Sequence, residues 1–158
     1  MKNRPMNKER ALEWMLKLRD CLEGKTWSLI HGTLLGACRE GDFIDWDFDI
    51  DILLHEKHFE DLQGIVKCLN EKKCKATLFT FHGKQFVQIY WKAIPGHIMM
   101  PWKSEYRNKF FAGKMTTKTI QGEEFPVPEH WEELLTERYG DWKTPVKIKD
   151  WIENMNTH

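Results

Sequence analysis

The chain has 158 residues, sets 24 Lys and Arg against 24 Asp and Glu, and is 41% hydrophobic and 13% aromatic. That length suits one domain, 1–158, able to bury roughly 70% of the surface that its unfolded chain would expose. The charge balance excludes a basic coat for nucleic acid. No apolar run approaches the ~20 residues of a membrane span, and the N-terminus lacks the apolar stretch of a signal peptide, so a cytoplasmic protein is expected.

Taken in order, residues 8–23 place Ala11, Met15, Leu18 and Leu22 at helical spacing, and Gly24 ends that helix. A short strand at 27–30 runs into His31-Gly32-Thr33, and a second helix is predicted over 33–39 before the break at Gly41-Asp42. From Asp47 to Leu53 the pattern alternates strictly, Asp47, Asp49 and Asp51 against Phe48, Ile50 and Ile52, which predicts a strand with its carboxylates on one face. A helix over 55–72 follows, with Phe59, Leu62 and Leu69 on its apolar side. Two strands at 75–81 and 85–91, irregular β structure over 108–127, a helix at 129–138 capped by Gly140, and a charged tail complete the chain.

The neutral total conceals blocks of opposite sign. Residues 40–61 hold one basic and nine acidic side chains, whereas residues 62–122 hold eleven basic and two acidic. The basic block, with Lys84, Lys92, Lys103, Arg107, Lys109 and Lys114, fits either a solvated face or a surface for phosphates. Cys21, Cys38, Cys68 and Cys74 have no zinc-ligand spacing and are expected to be reduced thiols. His55 and His58 lack a third ligand and read as a helix start.

Carboxylates two apart on a strand lie roughly 7 Å from one another between Cα atoms. Acidic residues are depleted in strands, so three in alternation call for a counter-ion, and oxygen-only ligation favours Mg2+ or Mn2+. A solvent-facing charged edge is the plainer alternative. An EF-hand is a weaker reading still, since the loop lacks the sixth-position Gly. Upstream, Gly32-Thr33 opens a helix after a strand, which suits either an anion cradle or a simple N-cap. A phosphate cradle beside a metal clamp is what phosphoryl transfer requires.

The run from His31-Gly32-Thr33-Leu34-Leu35-Gly36-Ala37-Cys38-Arg39 through Trp46-Asp47-Phe48-Asp49-Ile50-Asp51 resembles the signature of the LicD/fukutin family, as does the segment from Val127-Pro128 to Tyr139-Gly140-Asp141-Trp142. The resemblance implies an α+β, nucleotidyltransferase-like fold, a small mixed sheet flanked by helices. It implies metal-dependent transfer of a phospho-alcohol, such as phosphocholine or ribitol phosphate, from a CDP-linked donor to a glycan or glycolipid hydroxyl, with release of CMP. By the same resemblance Asp49 and Asp51 are metal ligands and catalytic, Asp47 is the preceding catalytic acid, and Gly32, Thr33 and Arg39 bind phosphate. Transfer of a nucleoside monophosphate is the alternative within the same fold.

Two departures stand out. The proline usual before the tryptophan is Asp45. The third carboxylate of such enzymes aligns with Gln88 in Val87-Gln88-Ile89-Tyr90. Gln cannot act as a base, so His97, Glu105 or Asp45 substitutes, or the chain is a degenerate donor-binding module. Among eight tryptophans, Trp46, Trp91 and Trp102 are the candidates for an aromatic cage around a quaternary ammonium, with core packing as the alternative.

Overall fold

A computed structural model describes residues 5–146 of the chain. The first amphipathic segment forms α1 (Lys8–Cys21), capped by the Asn7 side chain, which accepts from the Arg10 N–H. It buries Ala11, Trp14, Met15 and Leu18, and each large apolar side chain so buried contributes ~1.5–3 kcal/mol. After β1 (Trp27–Leu29), α2 (His31–Glu40) begins two residues earlier than expected and ends at Gly41, whose φ of 65° is the left-handed conformation that glycine adopts readily.

The acidic strand is shorter than its alternation suggests. β2 covers Ile50–Leu54, all five residues buried, while Asp47, Phe48 and Asp49 lead into it as irregular chain. The helix expected over 55–72 divides into a 3-10 turn (Glu56–Asp61) and α3 (Leu62–Glu71). Phe59, on that turn, is exposed and meets Trp102 edge-on instead of entering the core. His55 and His58 are used locally, His55 accepting from the Lys57 N–H and His58 bonding the Thr26 N–H and Asp61.

β3 (Lys75–Phe81) and β4 (Lys84–Trp91) form the expected hairpin, and β5 (Ile94–Met99), absent from the sequence reading, follows at once. The strand order is β1-β2-β5-β4-β3. β2 and β5 run parallel and the other neighbours antiparallel, giving the small mixed sheet expected. α4 (Glu105–Asn108) precedes a separate hairpin of β6 (Met115–Ile120) and β7 (Glu123–Pro128), and α5 (Trp131–Tyr139) follows it, ending at Gly140. The charged tail beyond residue 146 lies outside the described residues.

Register settles what each face of the sheet carries. Ile52, Ile98 and Val87 align across three strands, as do Ile50, Gly96 and Ile89, making one aliphatic face. Trp14 of α1 lies so close to it that a Cβ on Gly96 would fall 2.4 Å from the indole ring. The other face aligns Asp51, His97 and Gln88. α1 is joined to α3 by a Cys21–Cys68 disulfide, correcting the expectation of four reduced thiols; Cys38 and Cys74 are free. The pairing is long-range, so no local spacing reveals it.

The contact at Gly96 generates a paired prediction. Gly96→Ala overpacks the sheet against Trp14 and costs ~1–3 kcal/mol, whereas Gly64→Ala, an exposed helical site where a new Cβ meets nothing within 4 Å, gains ~0.5–1 kcal/mol. Urea midpoints shifted in the same direction by both variants would contradict the packing described.

Candidate functional site

The loop joining α2 to β2 is fixed from three sides. Gly36 allows α2 to approach it so closely that a Cβ there would meet the Asp42 carbonyl at 2.5 Å. The Met6 N–H donates to the Asp47 carbonyl (2.9 Å), and Gln121 in the β6–β7 turn donates its N–H to the Gly41 carbonyl and its amide to the Asp42 carboxylate. Lys8 binds the two outer aspartates, Asp45 at 2.6 Å and Asp42 at 3.7 Å. Asp45 therefore faces outward, and its bond from Lys8 lowers its pKa. It does not replace a missing carboxylate, and neither does the exposed Glu105 at the start of α4.

The inner aspartates converge. Asp49, Asp51 and His97 each offer one ligand atom, and these atoms all lie within 4.8 Å of one another. The His97 Nδ1 is 3.2 Å from an Asp51 carboxylate oxygen. Asp51 is held at its backbone too, since its N–H donates to the Thr33 hydroxyl oxygen (3.1 Å). Thr33 is thus buried and fixes a member of the cluster, where the resemblance implies a phosphate ligand. Gly32 lies in the first turn of α2, between Thr33 and His31. Arg39 is eight residues along that helix from His31, a displacement of ~12 Å, and donates to Glu40 and to the Trp142 carbonyl, so it is not brought to the cluster.

Asp47 is buried next to the cluster without joining it. One carboxylate oxygen accepts from the Phe48 N–H, and the other has no partner among the described residues. Burial, then the charges of Asp49 and Asp51, push its pKa well above the usual carboxylate range. The same two causes, burial and the Asp51 charge, raise Asp49 from 3.8 to about 7, against the opposing pull of His97. The Asp51 hydrogen bond in turn raises His97, with burial opposing it. Crowded, desolvated carboxylates of this kind suit a cation, and two Asp with one His form a donor set that a divalent ion accepts.

His97 is the group that sequence reasoning underweighted. Gln88 lies on β4, one strand beyond His97, which places it roughly 10 Å from Asp51 at ordinary strand spacing; its side chain donates to the Tyr90 hydroxyl. The strand directly beside β2 is β5, and its residue opposite Asp51 is His97. A cleft of ≈ 470 Å³ opens there, lined by His97 together with Phe86, Met99 and Trp102. Of the cage candidates only Trp102 lines it; Trp91 is buried on β4 beneath Lys17 and Lys92.

The raised Asp49 carboxyl has a pH signature in the metal-free protein. A folded pKa above the unfolded value means that its stabilising contribution is complete below about pH 3.8 and is lost as pH rises towards 7. Asp49→Asn removes this loss, so its melting temperature relative to wild type should be higher at pH 8 than at pH 4 by at least ~3 °C, corresponding to ~1 kcal/mol. An equal difference at both pH values would refute the carboxylate repulsion.

Against known proteins, residues 24–140 match the family model described as LicD/FKTN/FKRP, nucleotidyltransferase domain. No curated protein matches the chain significantly by sequence. Among solved structures, the fold is similar to that of an antigenic nucleotidyltransferase-like protein from Paracoccidioides brasiliensis, with a TM-score of 0.54 and 12% identity over 97% of this chain and 76% of that one. The matched family segment runs from before β1 to the end of α5 and contains the whole carboxylate–histidine cluster, so the chain belongs to the LicD/FKTN/FKRP nucleotidyltransferase-domain family.

Proposed function

We propose that the protein is a divalent-metal-dependent transferase that moves a phospho-alcohol group from a CDP-linked donor to a hydroxyl of a glycan or glycolipid, releasing CMP. The observation that carries this reading is the convergence of Asp49, Asp51 and His97, the last of which also lines a cleft. Its donor set fits a metal, because two desolvated carboxylates repel one another and Asp47 adds an unpartnered oxygen beside them. Asp49, Asp51 and His97 would hold the ion. The imidazole makes Mn2+ as suitable as Mg2+, since nitrogen ligands suit later metals better than magnesium. When bound, such an ion neutralises charge on the pyrophosphate oxygens.

The chain's own residues do the positioning. Thr33 and His97 hold Asp51 at its backbone and at its carboxylate, so the cluster is formed before substrate arrives. The acceptor hydroxyl oxygen bonds to the distal phosphorus as the bridging P–O bond to CMP breaks, and the hydroxyl proton is lost to solvent water. Phe86, Met99 and Trp102 line the cleft with apolar surface. The degenerate-module alternative rests on Gln88; the position of His97 opposite Asp51 supports the active reading instead.

No described helix is long and apolar enough to cross a membrane. The Cys21–Cys68 disulfide fits an oxidising compartment better than the cytoplasm expected from the sequence.

Mixing the protein with CDP-alcohols and Mg2+ or Mn2+ tests the activity. CMP release should require the metal and fall at least ~100-fold in Asp51→Asn and in His97→Ala, in line with losses on removing metal-site groups. Undiminished release by the Asp49→Asn, Asp51→Asn double variant would exclude this site. Release of pyrophosphate from a nucleoside triphosphate, without CMP from any CDP-alcohol, would replace phospho-alcohol transfer with nucleotidyl transfer.

A further inference from the structure

The cleft beside His97 also contains two guanidinium groups, from Arg107 on α4 and Arg138 on α5. Both side chains belong to half-buried residues. Neither has a carboxylate within ion-pair distance among the described residues. Glu137, next to Arg138 in the chain, is occupied by Lys109 at 2.9 Å.

Their orientations are nevertheless fixed. Arg107 donates from Nη1 to the Met100 carbonyl (3.1 Å), leaving most of its N–H groups uncommitted in that bond. Arg138 lies over the rings of Tyr106 and Tyr139, 5.3 and 5.7 Å from their centroids. The Arg138 Nε and the Tyr106 hydroxyl are buried without a hydrogen-bond partner among the described residues. The two arginines also feel one another, since burial and then the Arg138 charge lower the pKa of Arg107. Held, partly desolvated and without an anion, such a pair is costly unless a ligand completes it. A planar guanidinium fork matches the oxygens of a phosphate.

We propose that Arg107 and Arg138 form a phosphate-binding site within this cleft, distinct from the Asp49–Asp51–His97 cluster, that grips a phosphate group of one of the two substrates. The site rests on the transferase reading above and deepens it. Its phosphate comes either from the diphosphate of the donor or from a phosphomonoester on the acceptor, and this one chemistry serves both. Arg39, which the sequence resemblance offers for that role, is engaged elsewhere by Glu40 and the Trp142 carbonyl.

Calorimetric titration of the full chain with CDP and with glucose 6-phosphate tests the site, comparing wild type with Arg107→Gln, Arg138→Gln and Arg107→Lys. Wild type should bind at least one probe, and each Gln variant should bind it at least tenfold more weakly. Arg107→Lys should also lose affinity, because it keeps the charge but not the fork. The melting-temperature increase on adding Mn2+ should be the same in all four proteins, showing an intact fold and cluster. Loss confined to glucose 6-phosphate assigns the site to the acceptor, and loss of CDP binding assigns it to the donor. If Arg138→Gln does not fold, Arg107→Gln decides alone. A wild type that binds neither probe, or variants that bind as wild type does, would overturn the proposal. Arginine-dependent phosphate binding without any Mn2+ response or CMP release would retain this site and reject the transferase reading instead.

Discussion

Three carboxyl groups are packed where β2 begins, and their mutual repulsion is the constraint around which the fold is arranged. The pKa values of Asp47 and Asp49 are both raised, from burial first and from neighbouring carboxylates second. A fold that merely needed a stable strand there would place apolar residues at these positions, as it does at Ile50 and Ile52. The energetic cost becomes intelligible if a cation completes the site, because an opposite charge converts repulsion into ligation.

Much of the surrounding structure supports that cluster. Gly36 brings α2 against the acidic loop, and Gly96 lets Trp14 of α1 pack on the back of the same sheet. β5 is thereby seated parallel to β2, with His97 opposite Asp51. Lys8 binds the outer Asp42 and Asp45, which keeps them from adding to the inner repulsion. The neutral total charge of the chain is then a cancellation between an acidic loop that carries the candidate metal site and basic residues elsewhere. Of the basic block, Lys84 and Arg107 line the cleft, while Lys92 and Lys109 pair with Glu13 and Glu137.

What the sequence disclosed depended on whether the signal was local. The alternating acids, the helix over Lys8–Cys21 and the hairpin of β3 and β4 each follow from nearest-neighbour patterns and were legible. The acidic alternation was over-read at its start, since residues can alternate in irregular chain before the strand begins at Ile50. β5 was hidden for two reasons. Pro95 and Gly96 read against a strand, and the preceding turn uses Lys92 and Ala93 at φ 47° and 68°, without the glycine that marks such turns. With β5 hidden, Gln88 reads as the neighbour of the acidic strand, whereas the register sets His97 opposite Asp51. The Cys21–Cys68 pairing and the meeting of Arg107 with Arg138 are long-range juxtapositions that spacing alone does not encode.

The central claim is that Asp49, Asp51 and His97 form one metal centre. Pulsed EPR of the protein titrated with Mn2+ tests it most directly, because the spectrum reports both the bound ion and any nitrogen ligand. One bound Mn2+ per chain is predicted, with a 14N coupling that disappears in His97→Ala and an affinity that collapses in the Asp49→Asn, Asp51→Asn double variant. Mn2+ bound equally well by the double variant, or with no nitrogen coupling in the wild type, would contradict it.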